Sequence, residues 1–417
     1  MPPELKRQLG GFDATTVGIG SMIGAGVFVA FAPAAASAGS FLPLAVALAG
    51  VIAYCNAAAS AQLAAVHPHS GGTYIYGRRQ LGPWPGFLAG WSFITGKLAS
   101  CAAMALTIGL YAAPGFETAA AIAAVVALTT VNLLGVTRTA LMTRIVVSLV
   151  VPVLAFVIVA AFASPAHDGG IGSVQTSPWG VLQAAGLMFF AFAGYARIAT
   201  MGEEVREPRK NIPAAIFGAL GFTLVLYLLL ALGLQHALGA EALAASAAPL
   251  RDVFADATST LPATAVTVAA VLGSLGALLA LIAGVGRTIL AMAREGDMPR
   301  FLSRISTRFT VPFAAEVATA VVVIALLLTT DVLTVVGFSS FGVLIYYAIA
   351  NLSALTLTDR PWHSPRALNL LGVAGCLLLA FTLPTASVLT MVAVLTAGVA
   401  GRAVVLWVRR RRSGNAG

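Results

Sequence analysis

Charged side chains are scarce in this sequence. Asp, Glu, Lys and Arg make up 9% of its 417 residues against 59% hydrophobic residues, and the mean hydropathy of +0.94 excludes an ordinary soluble globule. Cysteine is scarcer still. Cys55, Cys101 and Cys376 each lie within an apolar run, which argues against a disulfide framework or a cysteine-rich metal site and leaves them as packing residues. There is no HExxH, and the five histidines assign to loops, so no serine has a histidine at its own depth. A membrane-embedded enzyme is therefore not expected, and no metal or cofactor is called for.

What the sequence does have is apolar length. Runs of about 20 residues, enough to cross a hydrocarbon core of about 30 Å, fall roughly at 13–37, 41–65, 84–112, 118–136, 140–162 and 178–201. A second set falls at 212–236, 262–293, 312–329, 332–357, 366–383 and 385–408. The expected fold class is an all-α polytopic membrane protein of twelve transmembrane helices, the last two joined by a tight turn at Pro384. Lysine and arginine are retained on the cytosolic side of short loops. With both termini cytosolic, most of the 24 basic residues fall in cytosolic segments, one (Arg251) in an outer loop, and five within helices. The formal charge of +9 then marks an inner rim facing anionic membrane lipid, and is no sign of nucleic-acid binding. Arg409 to Arg412 anchor the last helix. Lys6 and Arg7 precede a segment too long for a signal-peptide core, which reads as an uncleaved first helix of a protein in the cytoplasmic membrane.

Span 1 carries GIGSMIGAGVF, Gly18 to Phe28, with four glycines inside a membrane-length run. A helix broken at that depth leaves backbone amides and carbonyls without partners, which is tolerated where protein, water or a bound solute satisfies them. The amides that begin the outer half-helix suit a carboxylate. Span 6 reads GLMFFAFAGYARIA, with its own weak point at Ala193 and Gly194. Interruptions at corresponding positions of two halves, 13–162 and 178–357, point to an inverted repeat with a site between them near the midplane. The terminal pair at 366–408 lies between that core and a basic tail, 409–417, and residues 1–12 form a cytosolic N-terminus. A competing reading is that the glycines only let helices approach closely, and Gly20 and Gly24 have the spacing of four that such packing uses.

Four motifs in order resemble the amino acid, polyamine and organocation transporter family. They are GIGSMIGAGVF; PHSGGTYIYGRRQLGPWPGFLAGW, Pro68 to Trp91; EEVREPRKNIP, Glu203 to Pro213; and GRTILAMAREGDMPRFL, Gly286 to Leu302. The resemblance implies a LeuT-like fold of five plus five helices with spans 1 and 6 broken, followed by two C-terminal helices. It also implies amino acids or related amines as cargo, moved by alternating access. Matching site positions are Met22, Gly24, Ala25 and Gly26 in span 1, and Phe190, Ala193 and Gly194 in span 6, where Phe190 or Phe192 would close the site. The chain departs from the family twice. The stretch Ser148 to Leu154 lacks the lysine that many sodium-independent members carry in span 5. Ala196 stands where arginine exchangers of the family have a glutamate.

Five basic residues remain within spans. Arg144, Arg197, Arg287 and Arg402 lie near cytosolic ends, where they can snorkel. Lys97 follows the start of span 3 by about a dozen residues, which at about 1.5 Å each puts it near mid-membrane. No Asp or Glu is expected at comparable depth, so Lys97 is the leading titratable group. Burial disfavours its charged form. It is either a coupling residue, as proton carrier or as cation to a substrate carboxylate, or a tie from span 3 to backbone carbonyls. Amides from Gly24 to Val27 suit an amino acid carboxylate, and carbonyls ending the first halves of spans 1 and 6 suit its ammonium. Met22, Ala25, Ala193 and Phe190 make the pocket apolar, which favours neutral amino acids. Glu203, Glu204 and Arg206, with Arg209 and Lys210, form a charged link expected to latch an inner gate. His67 and His69 read as solvated. Tyr346, Tyr347 and Asn351 either line the path or pack span 10. The sequence therefore predicts a proton-coupled amino acid permease, with an exchanger and a non-transporting amino acid sensor as the alternatives.

Overall fold

Prolines and small polar side chains set where helices begin. Pro83, Pro178 and Pro208 each stand in the first turn of a helix, where the missing N–H is no loss. Ser177 Oγ accepts from the Gly180 amide at 3.0 Å and Asp331 Oδ1 from the Thr334 amide at 2.7 Å, each satisfying one of the free donors at a helix start. The computed structural model describes residues 9–67, 71–135, 139–166, 177–199, 205–255, 257, 259–306, 311–358 and 365–414.

The chain runs as α1 (Gly11–Met22), α2 (Ala25–Val29), α3 (Phe31–Ala38), α4 (Leu42–Val66), α5 (Gly72–Gln80), α6 (Pro83–Ala112), α7 (Glu117–Leu133) and α8 (Thr139–Ala163). It continues as α9 (Pro178–Phe192), α10 (Ala196–Ala199), α11 (Pro208–Ala245), α12 (Pro249–Asp252), α13 (Leu261–Arg294), α14 (Phe313–Thr329), α15 (Val332–Leu355), α16 (Arg366–Thr382) and α17 (Thr385–Gly414). Among the described residues, the extended pairing is a single parallel bridge between Leu9 and Val205. Among the described residues, eight helical stretches are long and apolar enough to cross a membrane, and α7, α14 and α16 are shorter apolar helices. The chain is a multi-pass helical membrane protein.

Burial separates centre from periphery. The most apolar stretch of α6 is 83% buried and that of α15 78%, whereas α17 reaches 17% and α8 22%. The central α6 packs on α15 and α13, α11 packs on α4, and α1 packs on α11 and α8. The outer rings of α8 and α17 are left for lipid, which an apolar side chain tolerates as readily as it tolerates a protein core.

Three sequence expectations are corrected here. The helix expected over 212–236 continues to Ala245 through a kink at Gly239 (φ 73°, ψ 167°), because the alanines, leucines and glutamate of the following stretch are strong helix formers although they end the apolar run. His236 consequently lies within α11, its Nε2 3.1 Å from the Ser164 carbonyl, and is no loop residue. Arg402 does not snorkel: it is 9% exposed and bound to Asp297. All three cysteines are buried and free.

Candidate functional site

Both glycine-marked spans are interrupted, and the interruptions face each other. α1 ends at Met22, Ile23 is its C-cap with ψ 34°, and Gly24 turns the chain with φ −83° and ψ −145° before α2 starts at Ala25. The break is narrower than the expected Gly24 to Gly26, since Ala25 and Gly26 are already helical. Ala30 keeps helical angles, and its amide and that of Ala34 bond to Gly26 and Ala30 carbonyls at 3.1 and 3.2 Å, so α2 and α3 together make the second half-helix of span 1. Opposite, α9 ends at Phe192, and Ala193–Tyr195 form a 3₁₀ turn before α10.

Glycine lets the two breaks touch. A methyl group on Gly26 would lie 2.6 Å from the Ala191 Cα, and one on Gly194 would strike the Ser21 carbonyl and the Met22 amide. Neighbouring elements wall the junction: a methyl on Gly24 would meet Ala277 of α13 at 2.9 Å and Met104 of α6 at 3.6 Å. Met22, Ala25, Gly26, Val27, Phe190 and Ala193 are all buried around it. Among the described residues, Lys97 is the charged side chain that joins this group.

Two side chains from other helices answer the carbonyls that the breaks expose. The Tyr227 hydroxyl of α11 donates to the Met22 carbonyl at 2.7 Å and lies 3.3 Å from the Ala191 carbonyl, so one group bridges both broken spans. Lys97, midway along α6 and 7% exposed, donates from Nζ to the Ala193 carbonyl at 3.3 Å. Sequence reasoning found Lys97 and missed Tyr227. Its signal was available: the one aromatic hydroxyl in GFTLVLYLLLALG needs a partner when buried in apolar surroundings. Phe192 is fully buried with its ring edge-on to Tyr227 at 5.1 Å, and Phe31 meets the same ring at 6.1 Å. Phe190 stays at 7% exposure.

Where α5, α17 and the end of α13 meet, a cluster that the sequence did not announce holds the helices together. Asp297, beyond the end of α13, accepts from Arg78 Nη1 at 2.6 Å and the Tyr74 hydroxyl at 2.9 Å, both on α5, and from Arg402 of α17 at 2.9 Å. Burial, and then the Asp297 carboxylate beside it, raise the Tyr74 hydroxyl well above its usual range, so it stays a donor. The Arg402 guanidinium also lies 4.5 Å from the Trp84 ring centre and 4.9 Å from that of Phe87. Arg78 reaches Glu295 at 3.2 Å. Of the expected latch, Glu203 and Glu204 lie outside the described residues, as does His69. Arg206 is exposed, and its amide donates to the Leu9 carbonyl at 2.9 Å. The first half of span 1, α1, is further tied by an ion pair between Asp13 and Arg144 of α8.

Helix packing accounts for much of α15. Asn351 donates to Asn56 Oδ1 at 2.6 Å, and the Cys376 thiol donates to the same oxygen at 3.2 Å. The Tyr346 hydroxyl accepts from the Thr73 amide at 3.0 Å, and the Tyr347 ring stacks on Tyr195 at 5.1 Å. Glu316 is 3% exposed in the first turn of α14. Among the described residues no cluster of histidine, cysteine and acidic side chains has the makings of a metal site.

A family model described as amino acid permease matches residues 9–408. The chain is 53% identical over 414 residues to an uncharacterized transporter of Mycobacterium tuberculosis, covering 99% of this chain and 94% of the relative. It is 28% identical over 403 residues to a branched-chain amino acid permease of Bacillus subtilis, covering 89% and 85%. A vacuolar cationic amino acid transporter of Arabidopsis thaliana is 27% identical over 388 residues, covering 86% of this chain and 64% of the relative. With the four sequence motifs and the paired breaks, the match across nearly the whole chain means that this protein is a transporter of the amino acid permease family, within the amino acid, polyamine and organocation superfamily.

Proposed function

We propose that the protein is a secondary active transporter that moves neutral amino acids across the cytoplasmic membrane by alternating access, coupled to protons. The observation that carries this reading is the juxtaposition of the two breaks: span 1 opens at Ile23 and Gly24 against the 3₁₀ turn of span 6. Free amides at the start of the outer half-helix, Gly24 to Val27, take the carboxylate of a zwitterion. Carbonyls that close α1 and α9 take its ammonium. Met22, Ala25, Phe190, Ala193 and Gly194 then face its side chain, with Phe192 and the Glu203–Arg206 link as gates.

The fold assigned to this activity is two inverted repeats, 13–162 and 178–357, with the helices of 366–408 added and twelve crossings in all. Both termini are cytosolic in this layout, and the basic tail meets anionic lipid. The neutral cargo rests on the buried apolar wall and on the absence, among its described residues, of a carboxylate to match a cationic side chain. The branched-chain permease among the relatives supports this cargo and the cationic amino acid transporter among them does not. Lys97 is the group assigned to proton coupling.

Uptake into proteoliposomes tests this reading. Neutral, acidic and basic amino acids are offered with and without an imposed inward proton gradient. Accumulation of neutral amino acids that rises with the gradient is expected. Counterflow that ignores the gradient would make the protein an exchanger instead, and binding without flux would make it a sensor.

A further inference from the structure

The Lys97 side chain occupies the place that the proposed function gives to the substrate. Its ammonium group sits 3.3 Å from the Ala193 carbonyl, one of the oxygens that close α9 and would receive an amino acid ammonium. Lys97 and the amine of a zwitterion are the same chemical group, R–NH₃⁺, seeking the same acceptor.

Nothing else accounts for the lysine being there. Among the described residues no carboxylate pairs with it, and its one hydrogen-bond acceptor is that carbonyl. The lysine is 93% removed from solvent by the 7% exposure of its residue. A single carbonyl has lone pairs for two donors, but two full positive charges converging on one oxygen at this depth repel strongly, because little water is present to screen them.

We propose that Lys97 is a tethered stand-in for the substrate ammonium: it fills the Ala193 carbonyl while the site is empty and must yield it when an amino acid binds. This rests on the transport reading above and adds the order of events at its cationic end. The empty site thereby keeps its orphan carbonyl satisfied, and the lysine is released from its partner only in the loaded state. That release ties the charge on α6 to occupancy of the break in span 6, which gives coupling a physical cause.

Two experiments on the full-length protein in nanodiscs test it. Leucine and its des-amino analogue, 4-methylpentanoic acid, are titrated against the wild type, Lys97→Met and Lys97→Arg. Removing the competitor should tighten leucine binding about tenfold, the gain expected when only about a tenth of the empty protein has its carbonyl free. The des-amino analogue should gain little, because it has no ammonium to compete, and Lys97→Arg should bind leucine as weakly as the wild type. Unchanged or weaker leucine binding by Lys97→Met, or equal gains for both ligands, would overturn the proposal. The second experiment needs no variant and so survives misfolding of Lys97→Met. The chain has three lysines, Lys6, Lys97 and Lys210, so ¹³Cε-lysine labelling gives few signals to follow. Leucine should shift the Lys97 resonance and the des-amino analogue should not; a Lys97 signal indifferent to leucine would sink the idea. If the wild type binds leucine and these outcomes fail, only the stand-in role is lost. If it binds no amino acid at all, the transport reading falls first.

Discussion

At the scale of single residues, the breaks depend on what is missing as much as on what is present. Gly194 has no room for a side chain, because a methyl there would strike backbone atoms of Ser21 and Met22, and backbone cannot turn aside as a flexible side chain can. Gly194→Ala should therefore cost about 1–3 kcal/mol, the usual size of an overpacked core, and lose most transport. Gly221→Ala, where a methyl meets nothing within 4 Å, should leave both unchanged. Thermal unfolding in detergent and uptake by proteoliposomes check the pair. Tyr227→Phe keeps the ring packing with Phe192 and Phe31 but removes the hydroxyl that serves the Met22 and Ala191 carbonyls. Leaving a buried carbonyl unanswered costs about 1–3 kcal/mol. The expected outcome is a lower melting temperature together with a higher KM, since the same carbonyls stand at the proposed site. A fall in stability with KM untouched would make Tyr227 a packing residue only.

At the scale of elements, what could be read in advance divides by distance along the chain. The breaks were legible because their cause is local: Gly24 and Gly26 lie together in one apolar run, and Ala193 and Gly194 in another. The Asp297 cluster was not legible, because Asp297 draws its donors from α5 and α17, more than two hundred residues upstream and more than one hundred downstream of it in the chain. No periodicity records such a meeting. Arg402 shows the same limit, since helix position alone suggested an interface and the fold supplied a buried acid. Exposure then ranks the ion pairs. The side chains of Asp297 and Arg402 are 5% and 7% exposed, whereas those of Asp13 and Arg144 are 18% and 46% exposed. Asp297→Ala strands a buried guanidinium and should destabilise by about 3–5 kcal/mol. Arg144→Gln breaks a largely solvated pair and should cost about 0–1 kcal/mol. Melting curves of the two variants, measured side by side, check the order. Comparable losses would mean that the Asp297 cluster is not the anchor of these helices.

At the scale of the whole molecule, α1 packs on α11 and is held toward span 6 and toward α8 by bonds of different kinds, and the proposed alternating access requires one of these sides to part. Toward span 6 it is held mostly through backbone: the Leu9 carbonyl accepts from the Arg206 amide, Leu9 pairs with Val205, and Ser21 and Met22 abut Gly194, with the Ile198 side chain against Gly18 besides. Toward α8 it is held through side chains, with Gly20 against Thr143 and Val147 and Asp13 paired with Arg144. Side-chain contacts with one partly exposed ion pair separate at less cost than the close backbone contacts of Gly194 with Ser21 and Met22 do. Inward opening should then carry α1 away from α8 while it stays with α10 and the following link. Disulfides test this directly. Paired strands lie about 4.8 Å apart, within the range of roughly 4.4–6.8 Å between Cα atoms that a disulfide spans, so Leu9→Cys with Val205→Cys can be closed. A Cβ on Gly20 would lie 3.9 Å from the Thr143 Cβ, so Gly20→Cys with Thr143→Cys can be closed as well. The native cysteines stay in place, being buried. Oxidation should leave transport by the first pair intact and arrest the second, and reduction should restore the second. Arrest of the first pair with the second still active would mean that α1 swings away from span 6, and that the two inner half-helices move separately.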